Sequence, residues 1–280
     1  MTRRRSTIDH DRMTSSSRIT SRQNPRVKEA ARLRTARARQ REGRFLIDGA
    51  REIARAVAAG VRCIEAFVCE ELCDAHDCQN ALIALESSGA EMLGVSPFVF
   101  TKLAFGDRDD GIVVVAEARK QRLDDLQLPE KPFVAVLEGV EKPGNLGAIL
   151  RSADAAGVDA VIVADGRTDL YNPNTIRASL GTVFRPNVCE ATSSEAFSWL
   201  RERCLAVFAA RPDAEKLYTD ADLRGPAAVV LGSEAAGLSP VWSGPGVTPV
   251  RLPMHGIADS LNVSTTAAVL FYEARRQRQG

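Results

Sequence analysis

The sequence predicts an α/β protein built in two units. Short apolar runs alternate with segments of helical periodicity through most of the 280 residues. From residue 133 onward several of these runs are apolar throughout, the pattern of parallel strands covered by helices on both faces. A polar and charged stretch over 117–132, closing on Pro129 and Pro132, separates the halves and reads as a linker.

The elements follow in order. Residues 1–22 are rich in Arg, Ser and Thr without periodicity and read as a disordered basic tail. Pro25 opens a helix running to about Arg41, since proline suits the first helical position. A strand at 45–47, a helix at 50–59 and a strand at 63–69 come next, then a helix at 79–88 and strands at 91–95 and 111–116. These make a small α/β unit over 23–116. The second unit, 133–280, has strands at 133–138, 160–164, 205–210, 227–231 and 248–252. Its helices fall at 146–156, 174–180, 194–203 and 263–276.

Charge is distributed unevenly. Residues 1–55 hold 16 Lys and Arg against 6 Asp and Glu, a net of +10, and the remainder holds 21 against 30, a net of −9. A basic N-terminal fifth favours a polyanionic partner, although a solubilising tail and a charged helix face explain charge equally well. No apolar run is long enough to span a bilayer, and the N-terminal arginines precede no apolar stretch of a secretory signal. Six cysteines in a chain of this size are expected as reduced thiols of a cytoplasmic protein.

Three polar clusters stand where apolar runs give way to turns, the place where α/β proteins gather functional groups. They are Glu141-Lys-Pro-Gly-Asn-Leu-Gly-Ala-Ile-Leu-Arg151, Leu231-Gly-Ser-Glu-Ala-Ala-Gly237 and Leu252-Pro-Met-His-Gly-Ile-Ala-Asp-Ser-Leu-Asn-Val-Ser264. In the first, Leu146, Ile149, Leu150 and Ala153 have helical spacing, Asn145 is placed to cap, and Arg151 lies off the apolar stripe. In the second, small residues let the backbone approach a ligand, and Glu234 can hold a hydroxyl or fix the loop. In the third, Ser260 or Asn262 can cap the last helix or reach a substrate. Taken singly, a cap, an ordinary turn and a surface arginine suffice for each. No G-x-G-x-x-G, P-loop, G-x-S-x-G or H-E-x-x-H pattern competes. Cys69, Cys73, His76 and Cys78 lie close in sequence but match no standard zinc spacing, so no metal is expected.

Together and in this order, the clusters resemble the SpoU (TrmH) family of RNA ribose 2′-O-methyltransferases. Asn145 and Arg151 match its first motif, Gly232, Glu234 and Gly237 its second, and Pro253, Met254 and Ser260 to Ser264 its third. Asn172, Pro173, Arg177, Ser179 and Gly181 resemble an intermediate segment. Ser21, Asn24, Lys28 and Arg44-Phe-Leu-Ile-Asp-Gly49 resemble the N-terminal region, with Asp48 where relatives more often carry Glu. The resemblance spans about residues 20–278.

It implies a SPOUT-type C-terminal domain with a deep trefoil knot, an N-terminal L30e-like RNA-binding domain and a homodimer. S-adenosylmethionine is the implied cofactor, contacted by Gly232, Leu252, Ser260 and Leu261. Arg151, Asn145, Glu234 and Asn262 are the implied catalytic set, and Arg22, Asn24, Lys28 and Arg44 the implied RNA contacts. The family proposal makes Arg151 a general base. Arginine normally stays protonated, so a phosphate clamp that stabilises developing alkoxide is an equally physical role. The chain resembles the 23S ribosomal RNA group, among them the avilamycin-resistance type that modifies a uridine. A transfer-RNA substrate and a non-catalytic RNA-binding or ribosome-assembly factor are the alternatives.

Overall fold

The computed structural model describes residues 18–106 and 109–279. Its first sheet contains β1 (Arg44–Asp48), β2 (Cys63–Val68), β3 (Glu91–Gly94) and β4 (Ile112–Glu117) in the order β1-β4-β2-β3. β4 runs antiparallel to β1 and β2, and β3 is parallel to β2. Five helices accompany it: α1 (Pro25–Arg32), α2 (Ala36–Glu42), α3 (Ala50–Ala58), α4 (His76–Ser88) and α5 (Pro97–Leu103).

The second sheet is wholly parallel. It comprises β5 (Phe133–Glu138), β6 (Ala160–Ala164), β7 (Val188–Ala191), β8 (Ala206–Ala210), β9 (Ala227–Leu231) and β10 (Val247–Val250) in the order β10-β8-β9-β5-β6-β7. Helices α6 (Pro143–Ala156), α7 (Pro173–Ala178), α8 (Ser193–Glu202) and α9 (Val263–Gln279) cover it. The unbroken apolar runs now have a cause. On β5, Ala135 and Leu137 pack with residues of α6 and α9, while Val134 and Val136 pack on the other face with Ala196 and Leu200 of α8.

The larger core continues into the first sheet through Phe45 and Ile47. There the Phe45 ring stacks on Tyr171 at 4.2 Å between centroids. Beside it, buried Arg39 grips Asp169 through Nε at 3.0 Å and Nη2 at 2.6 Å. Its remaining Nη1 donates to the carbonyls of Leu33 and Arg34 at 2.9 and 2.8 Å.

Those carbonyls explain the first departure from expectation. The helix expected from Pro25 to Arg41 is two helices, because the break at 33–35 turns the Leu33 and Arg34 carbonyls toward Arg39 and lets Thr35 cap α2. α5 is an addition to the expected elements, and Ser96-Pro97 is its start signal: Ser96 accepts a bond from Val99 N and Pro97 takes the first position. β7 is another, a four-residue edge strand too short for a pattern. Most of the tail expected over 1–22 lies outside the described residues. Residues 18–22 are ordered rather than disordered, since Ile19 bridges to Val95 and exchanges backbone bonds with Gly94 and Ser96.

The stretch over 118–132 is pinned along the protein. Leu126 is buried in the second core cluster, and Arg119 N donates to the Tyr171 hydroxyl at 3.1 Å. The expectation of six thiols is corrected as well. Cys73 and Cys78 form a disulfide across the turn into α4, with Cα atoms 5.5 Å apart, while Cys63, Cys69, Cys189 and Cys204 are free. No helix among the described residues is long and apolar enough to cross a membrane.

Candidate functional site

Open α/β sheets bind ligands outside the carboxyl ends of their strands. Beyond the ends of β8, β9 and β10 lies a cavity of about 300 Å³. Leu231, Val250 and Val263 give it apolar walls, and Gly232, Leu252, Ser260 and Leu261, all expected to contact the cofactor, line it. Arg211, Arg251, Glu234 and Asp259 supply charge at its margin.

The wall formed after β9 is a tight backbone turn. Ser233 N donates to Gly237 O at 3.1 Å, Gly237 N returns a bond to Ser233 O at 3.0 Å, and Ser233 Oγ accepts from Ala236 N at 3.0 Å. Gly237 has φ +65°, which glycine adopts without strain. At Gly232 a Cβ would collide with the carbonyl group of Gly237 and come within 2.7 Å of Leu238 N. The turn therefore closes over a position where only glycine fits.

Side chains join the three clusters. Asn145 donates through Nδ2 to Glu234 Oε1 and accepts from Asn262 Nδ2 at 3.4 Å. Asn262 Oδ1 accepts from Ser264 N at 2.9 Å and Ser264 Oγ at 2.6 Å, so this residue caps α9 and binds Asn145 together. The expectation that Asn145 caps α6 is overturned. Pro143 starts the helix two residues earlier with Lys142 at the cap, which frees the Asn145 amide to face Glu234. α6 and α9 pack through one apolar core, and Gly147 seats α6 against α7, where a Cβ would meet Thr175 O at 2.7 Å and Ser179 N at 2.8 Å.

Arg151 is exposed and outside the cavity wall. Six residues beyond Asn145, it lies about 9 Å further along the α6 axis. The residues expected to touch RNA occupy the first unit, away from the cavity lining. Asn24 caps α1 by accepting from Arg26 N at 2.9 Å, Lys28 and Arg44 are exposed, and Arg22 is bonded to α5.

One residue beside the site went unread. Glu138 ends β5, is buried, and accepts four bonds: Ser193 Oγ at 2.5 Å, Ser239 N and Oγ at 2.7 Å each, and Trp242 Nε1 at 2.9 Å. It ties the sheet to the segment directly after the Gly232–Gly237 turn and to the first position of α8. The sequence signal was an acid closing the apolar run of β5. Such an acid can stay buried only where donors converge on it.

Residues 132–272 match the SpoU rRNA Methylase family, and residues 24–114 match the MRM3-like substrate binding domain. The chain is 31% identical over 285 residues to the 23S rRNA (uridine(2479)-2′-O)-methyltransferase of Streptomyces viridochromogenes, covering 96% of this chain and 95% of the relative. A crystal structure described as an RNA 2′-O ribose methyltransferase superposes with a TM-score of 0.81 at 45% identity, covering 94% of this chain and 99% of that one. The SpoU methyltransferase AviRb from Streptomyces viridochromogenes, solved in complex with AdoMet, gives 0.83 at 27% identity and covers 91% and 98% of the two chains.

Proposed function

Because the chain belongs to the SpoU rRNA Methylase family, we propose that it methylates a ribose 2′-hydroxyl of 23S ribosomal RNA with S-adenosylmethionine as methyl donor. The observation that carries this reading is the convergence of Asn145, Glu234 and Asn262 beside a glycine-walled cavity.

The residues present fit the cofactor. The apolar walls suit a flat purine, Gly232 lets the turn over 233–237 pack tightly so that the backbone lining the cavity is fixed, and the cavity is at the small end of the usual range for ligand sites. Gly232, Leu252, Ser260 and Leu261 would hold it. When bound, it supplies an electrophilic methyl on a sulfonium that leaves as a neutral thioether. The chain's own task is alignment and proton removal. Alignment of reacting groups is worth as much as about 7–11 kcal/mol in favourable systems. Asn145 and Asn262 hold Glu234 at the cavity edge, where its carboxylate can accept from a ribose hydroxyl. Arg151, an exposed cation, is assigned to a phosphate of the substrate and to developing negative charge on the 2′-oxygen, with the proton passing to water.

The same reading divides the chain into a basic tail (1–22), an L30e-like RNA-binding domain (23–116), a linker (117–132) and a knotted catalytic domain (133–280). It includes a homodimer, a cytoplasmic location, and Lys28 and Arg44 as phosphate contacts. A uridine target is supported by the name of the 31% identical relative, and antibiotic resistance belongs to the same proposal. Primer-extension mapping of 2′-O-methyl sites on 23S rRNA, treated with protein and S-adenosylmethionine or left untreated, tests the proposal. One new stop is expected, and an unchanged ladder overturns it.

A further inference from the structure

Phe98 is 60% exposed although it stands in a short helix whose neighbours Val99, Phe100 and Leu103 are buried. It contributes nothing to the core. Its ring is nevertheless held in place. The Arg22 guanidinium lies over one face with Cζ 3.9 Å from the ring centroid. Arg22 is itself fixed, donating Nε to Phe98 O at 2.7 Å and Nη2 to Thr101 Oγ1 at 2.5 Å. Lys102, one helical turn after Phe98, donates Nζ to Arg22 O at 2.9 Å. The segment carrying Arg22 is anchored in turn by the backbone bonds of Ile19 beside β3. An aromatic plate thus stands open to water with two cations locked beside it, on the unit that matches a substrate binding domain.

We propose that Phe98 is a stacking platform for one unpaired base of the RNA substrate, with Arg22 and Lys102 taking the adjoining phosphate. This rests on the RNA-methyltransferase reading and adds a specific contact to it. Unpaired bases stack on aromatic rings and guanidinium planes, and the negative backbone accompanies them. A protein partner would profit from the apolar ring but not from the two cations held beside it. The preorganised ring and guanidinium lose little freedom on binding, so the contact favours affinity.

The test compares wild type, Phe98→Ala and Phe98→Trp with unmodified 23S rRNA and S-adenosylmethionine. For Phe98→Ala the KM for RNA is expected to rise roughly tenfold, as loss of one stacked base does, with kcat at saturating RNA and calorimetric affinity for S-adenosylmethionine unchanged. Phe98→Trp is expected to keep the wild-type KM. Trp199 and Trp242 are buried, so an exposed Trp at 98 adds a separable red-shifted emission, and RNA should quench it. An unchanged KM in Phe98→Ala together with unquenched emission in Phe98→Trp overturns the platform. Emission that changes with protein concentration alone assigns the ring to a second copy of the chain and also overturns it. Absence of methyl transfer by wild type strikes the enzymatic reading instead, while quenching by RNA still decides the platform.

Discussion

Asn145, in the first turn of α6, donates its side-chain amide to Glu234, which stands 89 residues later in the turn after β9. The bond joins the segments that follow β5 and β9, two strands that pair directly, and Asn262 extends it to the start of α9. A positioning role follows for Asn145, since it lies outside the cavity wall while Glu234 lies in it. Asn145→Ala is expected to lower kcat about 100-fold, the size of effect that a small misplacement of a reacting group produces. Calorimetric affinity for S-adenosylmethionine should change by less than about threefold. A large loss of cofactor affinity with unaltered kcat would reverse this assignment.

Arg151 is exposed and therefore available to substrate. Arg151→Ala is expected to abolish detectable methyl transfer while calorimetry with S-adenosylmethionine is nearly unaffected. Arg151→Lys separates charge from geometry: a point charge should recover only part of the rate, because lysine cannot offer the paired donors of a guanidinium. Wild-type turnover in the alanine variant removes Arg151 from the chemistry.

Glu138 receives four hydrogen bonds from neutral donors in a buried position. Glu138→Gln replaces one acceptor oxygen by a donor that faces other donors. The loss is about 2 kcal/mol, which corresponds to a fall in Tm of roughly 4–8 °C for a protein of this size. Because Ser239 follows the Gly232–Gly237 turn directly, affinity for S-adenosylmethionine should weaken as well. Unchanged Tm and unchanged affinity would show that the Glu138 cluster supports neither the fold nor the site.

Thiol chemistry offers an independent check on the fold. Burial pushes the Cys63 thiol up to about 11 and the Cys189 thiol up to about 12, and raises Cys69 as well, so little reactive thiolate forms at neutral pH. Cys204 is exposed. Alkylation of the folded protein without reductant is expected to label Cys204 rapidly, and denaturation should release the three buried free cysteines. Cys73 and Cys78 should react only after reduction. Labelling of all six in denaturant without reductant would exclude the disulfide.

The parts of the protein that were legible in sequence are those governed by local pattern. β5 and β9 announced themselves because burial on both faces demands an unbroken apolar run. The cavity residues Gly232, Leu252, Ser260 and Leu261 were legible through the motifs that carry the family resemblance, since nothing in the local pattern alone marks Leu252 or Leu261. What escaped depended on tertiary partners. The break between α1 and α2 serves Arg39, whose carboxylate partner Asp169 is 130 residues away. Asn145 reads as a cap until Pro143 is seen to start α6, and its true partner, Glu234, is remote in the chain. Glu138 looks like the polar end of a strand because its four donors come from two segments, around Ser193 and over 239–242, that are remote from it in the chain.

The central claim is a methyl transfer to ribose. The most direct measurement incubates the protein with unmodified 23S rRNA and S-adenosylmethionine labelled with tritium in the methyl group, then digests the RNA to nucleosides. The label is expected in a single 2′-O-methylated nucleoside. Label in a base-methylated nucleoside, or none above a heat-inactivated control, would contradict it.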